Sequence, residues 1–279
     1  MADVAVITGG AGGMGLATAK VVGREKSLVL CDVRQDRLDA AAATLADLGI
    51  SATVVNADVT DSAAVERLFD TAAGLGNVTS VIHTAGVSPS MGAADYVMRT
   101  NAVGTVNVDE AFFRTAAAGS AIVNVASMAA HILPEEFMPT AQFPVALADA
   151  DRFMAEMSTV CEMAPEEARS GLAYAISKGF VRWYSSSQAE RFNTRGLRIV
   201  SVSPGSVDTE MGRLEEQAGA GALVADAAVP RWGKAEEMAD LLAFCVSDKA
   251  GYLTGTDILN DGGVVASIRE RARIAAANG

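Results

Sequence analysis

TGGAGGMG, residues 8–15, sets the architecture that we expect for the whole chain. The β-branched run VAVIT (4–8) leads into it, and a helical pattern follows from about residue 14. Glycines at such a strand-to-helix junction allow a tight turn, a close approach to a pyrophosphate and close packing of the helix on the strand. The start of the helix adds free N–H groups and the positive end of its dipole. The stretch therefore predicts a dinucleotide-binding turn, with a purely structural turn that needs positive φ as the alternative.

The same alternation of strand and helix patterns continues along the chain. Apolar strands separated by helices predict a parallel sheet that is buried on both faces and joined by right-handed crossovers. We expect an α/β fold, a Rossmann-type doubly wound sheet of about seven strands with helices on both faces, formed as a single domain over 1–279. The predicted strands are 4–8, 27–32, 52–58, 80–86, 121–127, 197–203 and 256–261, and the predicted helices are 14–24, 35–48, 61–74, 101–118, 171–193 and 235–247.

An acidic residue ends the second predicted strand: Asp32 closes SLVLCD, seventeen residues after Gly15. A carboxylate here can accept hydrogen bonds from both hydroxyls of an adenosine ribose, and it repels a 2′-phosphate. The position therefore favours NAD over NADP. Two alternatives stay open, because Asp32 is also suited to cap the helix that begins near Gln35, and Arg34 is placed to face a 2′-phosphate.

Composition excludes several classes of function. The net charge of −12 would repel nucleic acid and anionic membranes. Cys31, Cys161 and Cys245 are odd in number and lie in apolar surroundings, which predicts free thiols in a reducing compartment. With only His83 and His131 in the chain and no zinc-ligand spacing, we predict no metal site. The start of the chain lacks a signal-peptide pattern, and no apolar run approaches the roughly 18 residues of a membrane span, so we expect a cytoplasmic protein.

In GLAYAISKGF (171–180), Tyr174 precedes Lys178 by four residues within a helical pattern, so both share one helix face. Oxidation of an alcohol needs a base that works near neutral pH, whereas free tyrosine has a pKa of ~10. A lysine ammonium at ~5 Å supplies roughly 3 kcal/mol toward the phenolate at an effective dielectric of ~20, and an oxidised nicotinamide adds the same sign of charge. The pair predicts a tyrosine acid/base with a lowered pKa, with a merely amphipathic helix face as the alternative.

In this order, the motifs resemble the short-chain dehydrogenase/reductase family over nearly the whole chain. TGGAGGMG fits its T-G-x3-G-x-G turn, and the segment 230–263 looks like its last helix, strand and Asp-Gly-Gly turn. Further family motifs are matched by ADVT (57–60), HTAG (83–86), TNAVG (100–104), VNVAS (123–127), YAISK (174–178) and SPGSVDTEM (203–211).

The resemblance implies a catalytic set of Asn101, Ser127, Tyr174 and Lys178. Tyr174 would be the acid/base, Lys178 would also hold the nicotinamide ribose, Ser127 would bond the substrate oxygen, and Asn101 would hold a water that links the lysine to solvent. Taken alone, a serine after a strand is more typical of a turn, and an asparagine before a helix of an N-cap.

The resemblance also implies the cofactor contacts. Asp58 is expected at the adenine amino group, Ala85 and Gly86 beside the adenine ribose, and the loop that starts at Pro204 on the nicotinamide side. The predicted contacts are Thr8, Gly9, Gly13, Met14, Gly15, Asp32, Val33, Asp58, Val59, Ala85, Gly86, Tyr174, Lys178, Pro204, Gly205, Val207 and Thr209.

Two departures from the family pattern stand out. Ser127 and Tyr174 are 47 positions apart, so we infer an insertion at about 129–170, with prolines that predict a loop first and a helix from about Leu147 to Met163. Its apolar residues are interpreted either as a lid or substrate wall or as the insertion's own core: Phe137, Met138, Phe143, Phe153, Met154 and Met157.

The second departure is the interval from Gly86 to Asn101, 15 positions, which leaves little room for the usual helix. Together the two departures resemble the subgroup that includes bacterial 3α-hydroxysteroid dehydrogenase/carbonyl reductase. His83 and Thr84 replace the asparagines usual in the family, so a structural contact of the sheet is expected to differ there.

The leading hypothesis is an NAD-dependent oxidoreductase that interconverts a secondary alcohol and a ketone by hydride transfer, with a steroid or another bulky apolar compound as substrate. The alternatives are an NADP-dependent carbonyl reductase and a non-catalytic NAD-sensing regulator. The expected partners are the small-molecule substrate and further copies of the chain in a homo-oligomer, dimer or tetramer, without nucleic acid or membrane. The tail 267–279, with Arg269, Arg271 and Arg273, predicts a solvated or inter-subunit helix.

Overall fold

The computed structural model describes the backbone of residues 1–278 and the side chains of 1–218 and 221–277. Its strands are β1 (Ala2–Thr8), β2 (Ser27–Asp32), β3 (Ala52–Asn56), β4 (Gly76–His83), β5 (Ala121–Val125), β6 (Arg198–Pro204), β7 (Val207–Asp208), β8 (Gly233–Lys234) and β9 (Asp257–Asn260). Seven of them form one sheet in the order β3-β2-β1-β4-β5-β6-β9, and every pairing in it is parallel. The predicted Rossmann-type α/β fold is confirmed.

The helices occupy the predicted intervals with modest shifts at their ends. Along β1, Val4 and Val6 join one apolar cluster, whereas Ala5 and Ile7 join another, because successive side chains of a strand point to opposite faces. The sheet is thus covered on both faces. The helices are α1 (Gly13–Val22), α2 (Gln35–Ala46), α3 (Ser62–Leu75), α4 (Ala94–Met98), α5 (Gly104–Thr115), α6 (Ala129–Ile132), α7 (Ala150–Glu162), α8 (Arg169–Ser187), α9 (Ala189–Asn193), α10 (Glu210–Glu215), α11 (Gly221–Asp226), α12 (Ala235–Cys245) and α13 (Val264–Asn278).

The strand order reverses between β1 and β4, which lie side by side at the centre of the sheet. Connections from these two strands run in opposite directions, so a crevice opens beyond their carboxyl ends. The glycine-rich stretch follows β1, and the HTAG motif closes β4. The fold therefore brings these two motifs together at one edge of the sheet.

The interval between Gly86 and Asn101 holds a single 3₁₀ turn, Pro89–Met91, and the five-residue α4. The predicted helix 101–118 is part of a longer helical run that starts earlier, at Ala94, because a π-helical turn, Arg99–Val103, joins α4 to α5. The predicted helix 171–193 is divided at Gln188 into α8 and α9. The short interval thus holds one turn and the start of a continuous helical run over 94–115.

The insertion begins with 3₁₀ turns at Glu135–Phe137 and Phe143–Leu147, and its helix is α7. Phe143 and Phe153 are fully buried, and their rings lie 5.3 and 5.2 Å from the ring of Phe180 in α8. Met154 and Met157 belong to the same apolar cluster. The insertion therefore packs on α8 and extends the apolar core on this face of the sheet.

The three cysteines, Cys31, Cys161 and Cys245, are free and buried, as predicted. Burial raises the pKa of the Cys31 thiol to about 12. The tail forms α13, which agrees with the helix predicted there. Of the helices between residues 1 and 278, none combines the length and the hydrophobicity that crossing a bilayer requires.

Candidate active site

The stretch TGGAGGMG forms a tight cradle between β1 and α1. Gly9 has φ +64°, and a Cβ there would lie 2.8 Å from the amide nitrogen of Ala85. At Gly13 a Cβ would lie 2.6 Å from Cγ2 of Thr209, and at Gly15 it would overlap the carbonyl oxygen of Gly9. Side chains at these positions would therefore force the turn or its neighbours to shift. Because α1 starts here, its first-turn amides are available to an anionic group.

The cradle lines a cleft of about 390 Å³, here called the glycine cleft, with Gly9, Gly13, Gly15 and Thr209 among its walls. A dinucleotide fits this geometry, because the cleft combines a backbone free of side chains with a helix N-terminus. Thr8 supports the cradle from below, since its hydroxyl accepts a 3.3 Å hydrogen bond from the Ala85 amide. The predicted residues of the first and fourth strand ends thus meet as one wall.

Asp32 ends β2 and is partly exposed, and its Oδ1 accepts a 3.3 Å hydrogen bond from the Arg34 amide. The Arg34 guanidinium pairs with Asp36 at 2.5 Å rather than with Asp32. This pairing holds the pKa of the Asp36 carboxyl below its usual range. Arg37, which reaches the glycine cleft, pairs with Glu210 at 2.6 Å. Both neighbouring cations are thus engaged by carboxylates.

Asp58 and Val59 follow β3 beside this end of the sheet. Asp58 is exposed, and its Oδ1 accepts hydrogen bonds of 2.8 Å from both the amide and the hydroxyl of Thr60. Val59 is buried in the apolar core, and Val33, which follows Asp32, is exposed. Asp58 and Val33 are therefore accessible to a ligand at the carboxyl edge, whereas the Val59 side chain is not.

The tyrosine and lysine of α8 lie together at the carboxyl end of β5. Nζ of Lys178 donates a 2.8 Å hydrogen bond to the carbonyl oxygen of Val125, and it lies 5.9 Å from the centre of the Tyr174 ring. With Ser127 they line one cavity of about 330 Å³, here called the tyrosine cavity. Three of the four predicted catalytic residues therefore share a single space.

Burial shifts the pKa values of both Lys178 and Tyr174 in this cavity. Lys178 is buried without a carboxylate partner among residues 1–278 with described side chains, and burial lowers its pKa to about 8. Burial also raises the pKa of Tyr174 above its usual range; the neighbouring Ser127 hydroxyl lowers that pKa, and the charge of Glu215 raises it. In the chain alone, desolvation of the phenolate therefore outweighs the hydrogen bond that lowers its pKa. The predicted lowering also depends on the charge of an oxidised nicotinamide, so it stays a prediction.

Asn101 lies in the π-helical turn between α4 and α5 and is buried. Its Oδ1 accepts a 2.9 Å hydrogen bond from the Val87 amide, and its Nδ2 donates to the Val87 carbonyl at 3.0 Å and to the Ser177 hydroxyl at 3.1 Å. Because helical residues precede it, the N-cap alternative is wrong. Its side chain therefore ties the loop after β4 to α8 and stands behind the cavity wall.

Gly86 lies between these groups. A Cβ at this position would be 3.0 Å from Oδ1 of Asn101 and 3.3 Å from Nζ of Lys178. Because any side chain would press on both polar groups, the glycine keeps the backbone close to the lysine. The predicted adenine-side motif thus also borders the predicted catalytic set.

His83 replaces one of the asparagines usual in the family. Its Nδ1 lies 2.7 Å from the Thr8 hydroxyl and its Nε2 3.0 Å from the Thr105 hydroxyl. Burial, reinforced by the charge of Lys178, lowers the pKa of this imidazole to about 3, so the ring is neutral near pH 7. The histidine therefore bridges β1 and α5.

The loop after β6 supplies the wall opposite the tyrosine. Pro204, Gly205, Val207 and Thr209, the residues predicted on the nicotinamide side, all line the tyrosine cavity. The Thr209 hydroxyl also caps α10 by accepting a 3.1 Å hydrogen bond from the Gly212 amide. Met14, Thr84, Thr209 and Met211 border both the tyrosine cavity and the glycine cleft, so the two spaces adjoin.

The cavity has further walls that the sequence motifs did not reveal. Leu223 and Trp232 come from the segment after the SPGSVDTEM motif, whose apolar residues were a usable signal. The further walls are Ser88, Pro89, Ile132, Glu215, Leu223 and Trp232. The lid interpretation of the insertion is wrong for Phe143, Phe153, Met154 and Met157, which are buried against α8. Phe137 is exposed and Met138 packs on Gly179, so neither lines the cavity.

Comparison with known proteins agrees with this geometry. The family model described as short chain dehydrogenase matches residues 3–139, and that described as enoyl-(acyl carrier protein) reductase matches residues 157–265. The chain is similar to the short-chain dehydrogenase/reductase bsc3 of Alternaria brassicicola, with 29% identity over 95% of this chain and 97% of that one. It is also similar to the cis-4-hydroxycyclohexanecarboxylate dehydrogenase of Sinomonas cyclohexanicum, with 28% identity over 94% of this chain and 96% of that one.

Among solved structures, a short chain dehydrogenase of Burkholderia cenocepacia in complex with NADP is 25% identical, with a TM-score of 0.74 over 93% of this chain and 96% of that one. The two family models lie on either side of much of the insertion and together span most of the chain. The sheet order, the glycine cradle and the cavity shared by Ser127, Tyr174 and Lys178 fit the same assignment. The chain belongs to the short-chain dehydrogenase/reductase family.

Proposed function

We propose that the protein is an NAD-dependent oxidoreductase that interconverts a secondary alcohol and a ketone. The observation that carries the proposal is the shared wall of Met14, Thr84 and Thr209 between the glycine cleft and the tyrosine cavity. This wall would let a dinucleotide that is held in the cleft reach the cavity that Tyr174 lines. The dehydrogenase of Sinomonas cyclohexanicum, named for a hydroxylated ring compound, supports an alcohol as the substrate.

The chain's own residues would hold the cofactor at three points. The first-turn amides of α1 and the glycine cradle bind the pyrophosphate, Asp32 binds the adenosine ribose, and the loop from Pro204 to Thr209 borders the nicotinamide side. NAD is favoured because the Asp32 carboxylate repels a 2′-phosphate, while Arg34 and Arg37 are engaged by Asp36 and Glu210. When bound, the oxidised nicotinamide accepts the hydride and adds a positive charge beside the tyrosine.

Tyr174 and its neighbours would carry out the proton transfer to and from the substrate oxygen. During oxidation the Tyr174 oxygen takes the proton of the substrate hydroxyl, while the Ser127 hydroxyl bonds the same substrate oxygen and holds it in place. Lys178, whose pKa is about 8, is mostly protonated at pH 7 and stabilises the phenolate. In reduction the steps reverse, and the tyrosine returns its proton to the ketone oxygen.

We further propose a compact alicyclic alcohol as the substrate class. The tyrosine cavity has a volume of about 330 Å³, and its walls include the apolar side chains of Ile132, Met211, Leu223 and Trp232. Such walls favour an apolar ring over a flexible polar chain. The short α4 and the inserted α7 support the resemblance to the 3α-hydroxysteroid dehydrogenase/carbonyl reductase subgroup, and thus a ring alcohol.

A single-domain organisation, a homo-oligomer and a cytoplasmic location remain part of the proposal. The continuous seven-stranded sheet supports the first of these. Phe137 and Met163, which are exposed on the insertion, support contacts with a further copy of the chain. The free thiols Cys31, Cys161 and Cys245 support a reducing compartment.

The test is a panel of ring and open-chain secondary alcohols, each incubated with the protein and either NAD or NADP, with the absorbance of the reduced cofactor as the readout. We expect turnover of ring alcohols, faster with NAD. Faster turnover with NADP would favour the NADP-dependent carbonyl reductase. Tight NAD binding by calorimetry without turnover of any substrate would favour the NAD-sensing regulator.

A further inference from the structure

One carboxylate stands in the wall of the tyrosine cavity. Glu215 ends α10 and lines the cavity together with Ser127 and Tyr174. Among the described residues of that wall, the ionisable side chains are Tyr174, Lys178 and Glu215. Lys178 is directed to the Val125 carbonyl at 2.8 Å, so it is committed to the end of β5. The substrate space therefore has a carboxylate of its own.

This carboxylate is held in place but is not neutralised. Its Oε1 accepts a 3.1 Å hydrogen bond from the Ser90 amide, in the 3₁₀ turn after β4. Within the described part of the chain, Glu215 forms no ion pair, and its Oε2 has no hydrogen-bond partner. Its charge also raises the pKa of Tyr174, so its field reaches the site of proton transfer. Glu215 thus presents a carboxylate with an open acceptor oxygen to whatever enters.

A second unsatisfied polar atom lies in the same wall. Ser88 is 1% exposed, and its hydroxyl oxygen has no hydrogen-bond partner among the described residues. Buried polar atoms are satisfied in most proteins, so an unpartnered hydroxyl in a cavity wall indicates a ligand or a water. Ser88 lies two residues before Ser90, which Glu215 contacts. The turn and α10 together add a second polar region to the cavity, besides Ser127, Tyr174 and Lys178.

Building on the function proposed above, we propose that Glu215 is a specificity-determining residue. It selects neutral ring alcohols that carry a second hydroxyl, which donates to Oε2 of Glu215 and can accept from Ser88. It excludes ring alcohols that carry a carboxylate, because two like charges would meet at the cavity wall. A neutral diol donates a hydrogen bond to Oε2 of Glu215, whereas an anion has no proton to donate and is repelled by the carboxylate.

The experiment compares cyclohexane-1,4-diol with 4-hydroxycyclohexanecarboxylate by calorimetry, using the full chain saturated with the reduced cofactor that it binds more tightly. Neither compound has a ketone, so binding is measured without turnover. We expect the wild type to bind the diol more tightly. Glu215→Gln keeps an oxygen that accepts from the Ser90 amide and removes the charge. In this variant the ratio of the dissociation constant of the carboxylate to that of the diol should fall on the order of tenfold.

The matched control is Glu216→Gln, the exposed neighbour outside the cavity wall, which should leave the ratio unchanged. The proposal is overturned if the ratio in Glu215→Gln equals that of the wild type, if the wild type prefers the carboxylate, or if neither compound binds. A failure of the proposed function would give a different result. No alcohol would then yield reduced cofactor, while the wild type would still prefer the diol and Glu215→Gln would still lose that preference.

Discussion

Nζ of Lys178 donates a 2.8 Å hydrogen bond to the carbonyl oxygen of Val125, and this bond joins α8 to the end of β5. Ser127 follows Val125 by two residues, so the same bond fixes the lysine relative to the serine. Tyr174 lies one helical turn before Lys178. The geometry of the proposed proton-transfer site is therefore set by one strand end and one helix.

The buried lysine makes stability depend on pH. Its pKa falls from 10.5 to about 8 in the folded chain. Between these values the unfolded chain binds more protons, so the free energy of unfolding rises with pH through this window, by about 3 kcal/mol in total. Denaturant unfolding of the wild type and Lys178→Met at pH 7 and pH 10.5 should show the wild type gaining by this amount relative to the variant.

The control for that measurement is Lys249→Met, since Lys249 is exposed and should leave the pH dependence unchanged. If the free energy of unfolding changed with pH in the same way for the wild type and Lys178→Met, the lowered pKa of the buried lysine would be contradicted.

The glycine cradle should not tolerate a methyl group at Gly13. A Cβ there would lie 2.6 Å from Cγ2 of Thr209, and Thr209 also caps α10, so the loop must shift. We expect Gly13→Ala to raise the dissociation constant for NAD about tenfold, measured by fluorescence titration, an energy of ~1.4 kcal/mol. Gly74→Ala in α3, where a Cβ meets nothing within 4 Å, should bind NAD normally and unfold with about 0.5–1 kcal/mol more stability. Equal binding by the two variants would refute the cradle.

The sequence predicted the sheet, and three of the four catalytic residues that it predicted line the tyrosine cavity. Both results depend on patterns that are local in the sequence. Strand runs are continuous and apolar, and the Tyr174 and Lys178 pair needs one helix turn. The roles of Phe153 and Trp232 could not be read in the same way. Which face of an inserted helix packs on α8, and which distant loop covers a cavity, depends on tertiary contacts between segments far apart in the chain.

The pKa of Tyr174 shows the same limit. The i, i+4 spacing places a cation near the ring, and that was visible in the sequence. The depth of burial and the Glu215 charge, which together raise the pKa, arise only when α8 and α10 meet across the cavity.

Asp32 should control the choice of cofactor. Asp32→Asn removes the charge that repels a 2′-phosphate but keeps a hydrogen-bond acceptor, so the preference for NAD over NADP should fall about tenfold. Dissociation constants of both cofactors, measured by calorimetry, provide the test. Asp39→Asn is the matched control, because Asp39 is exposed on α2 and bonds Gln35 at 2.7 Å. An unchanged preference in Asp32→Asn would show that another residue discriminates.

The insertion should affect stability, and the segment after β6 should affect the substrate. Phe153 is fully buried against Phe180, so Phe153→Ala should cost about 3–5 kcal/mol in denaturant unfolding and leave KM unchanged in the folded fraction. Met211 lines the tyrosine cavity, so Met211→Ala should raise KM several-fold with little loss of stability. The reverse pattern would restore the lid interpretation of the insertion.

The central claim is that the Tyr174 hydroxyl transfers the proton while Ser127 and Lys178 hold the reacting groups. Tyr174→Phe removes one oxygen atom and keeps the ring that packs beside Lys178. The most direct measurement is the rate of NADH formation by the wild type and Tyr174→Phe on the best ring alcohol, with NAD binding by both proteins checked by calorimetry. The account predicts that the variant binds NAD like the wild type and loses at least about a hundredfold in kcat; turnover at the wild-type rate would contradict it.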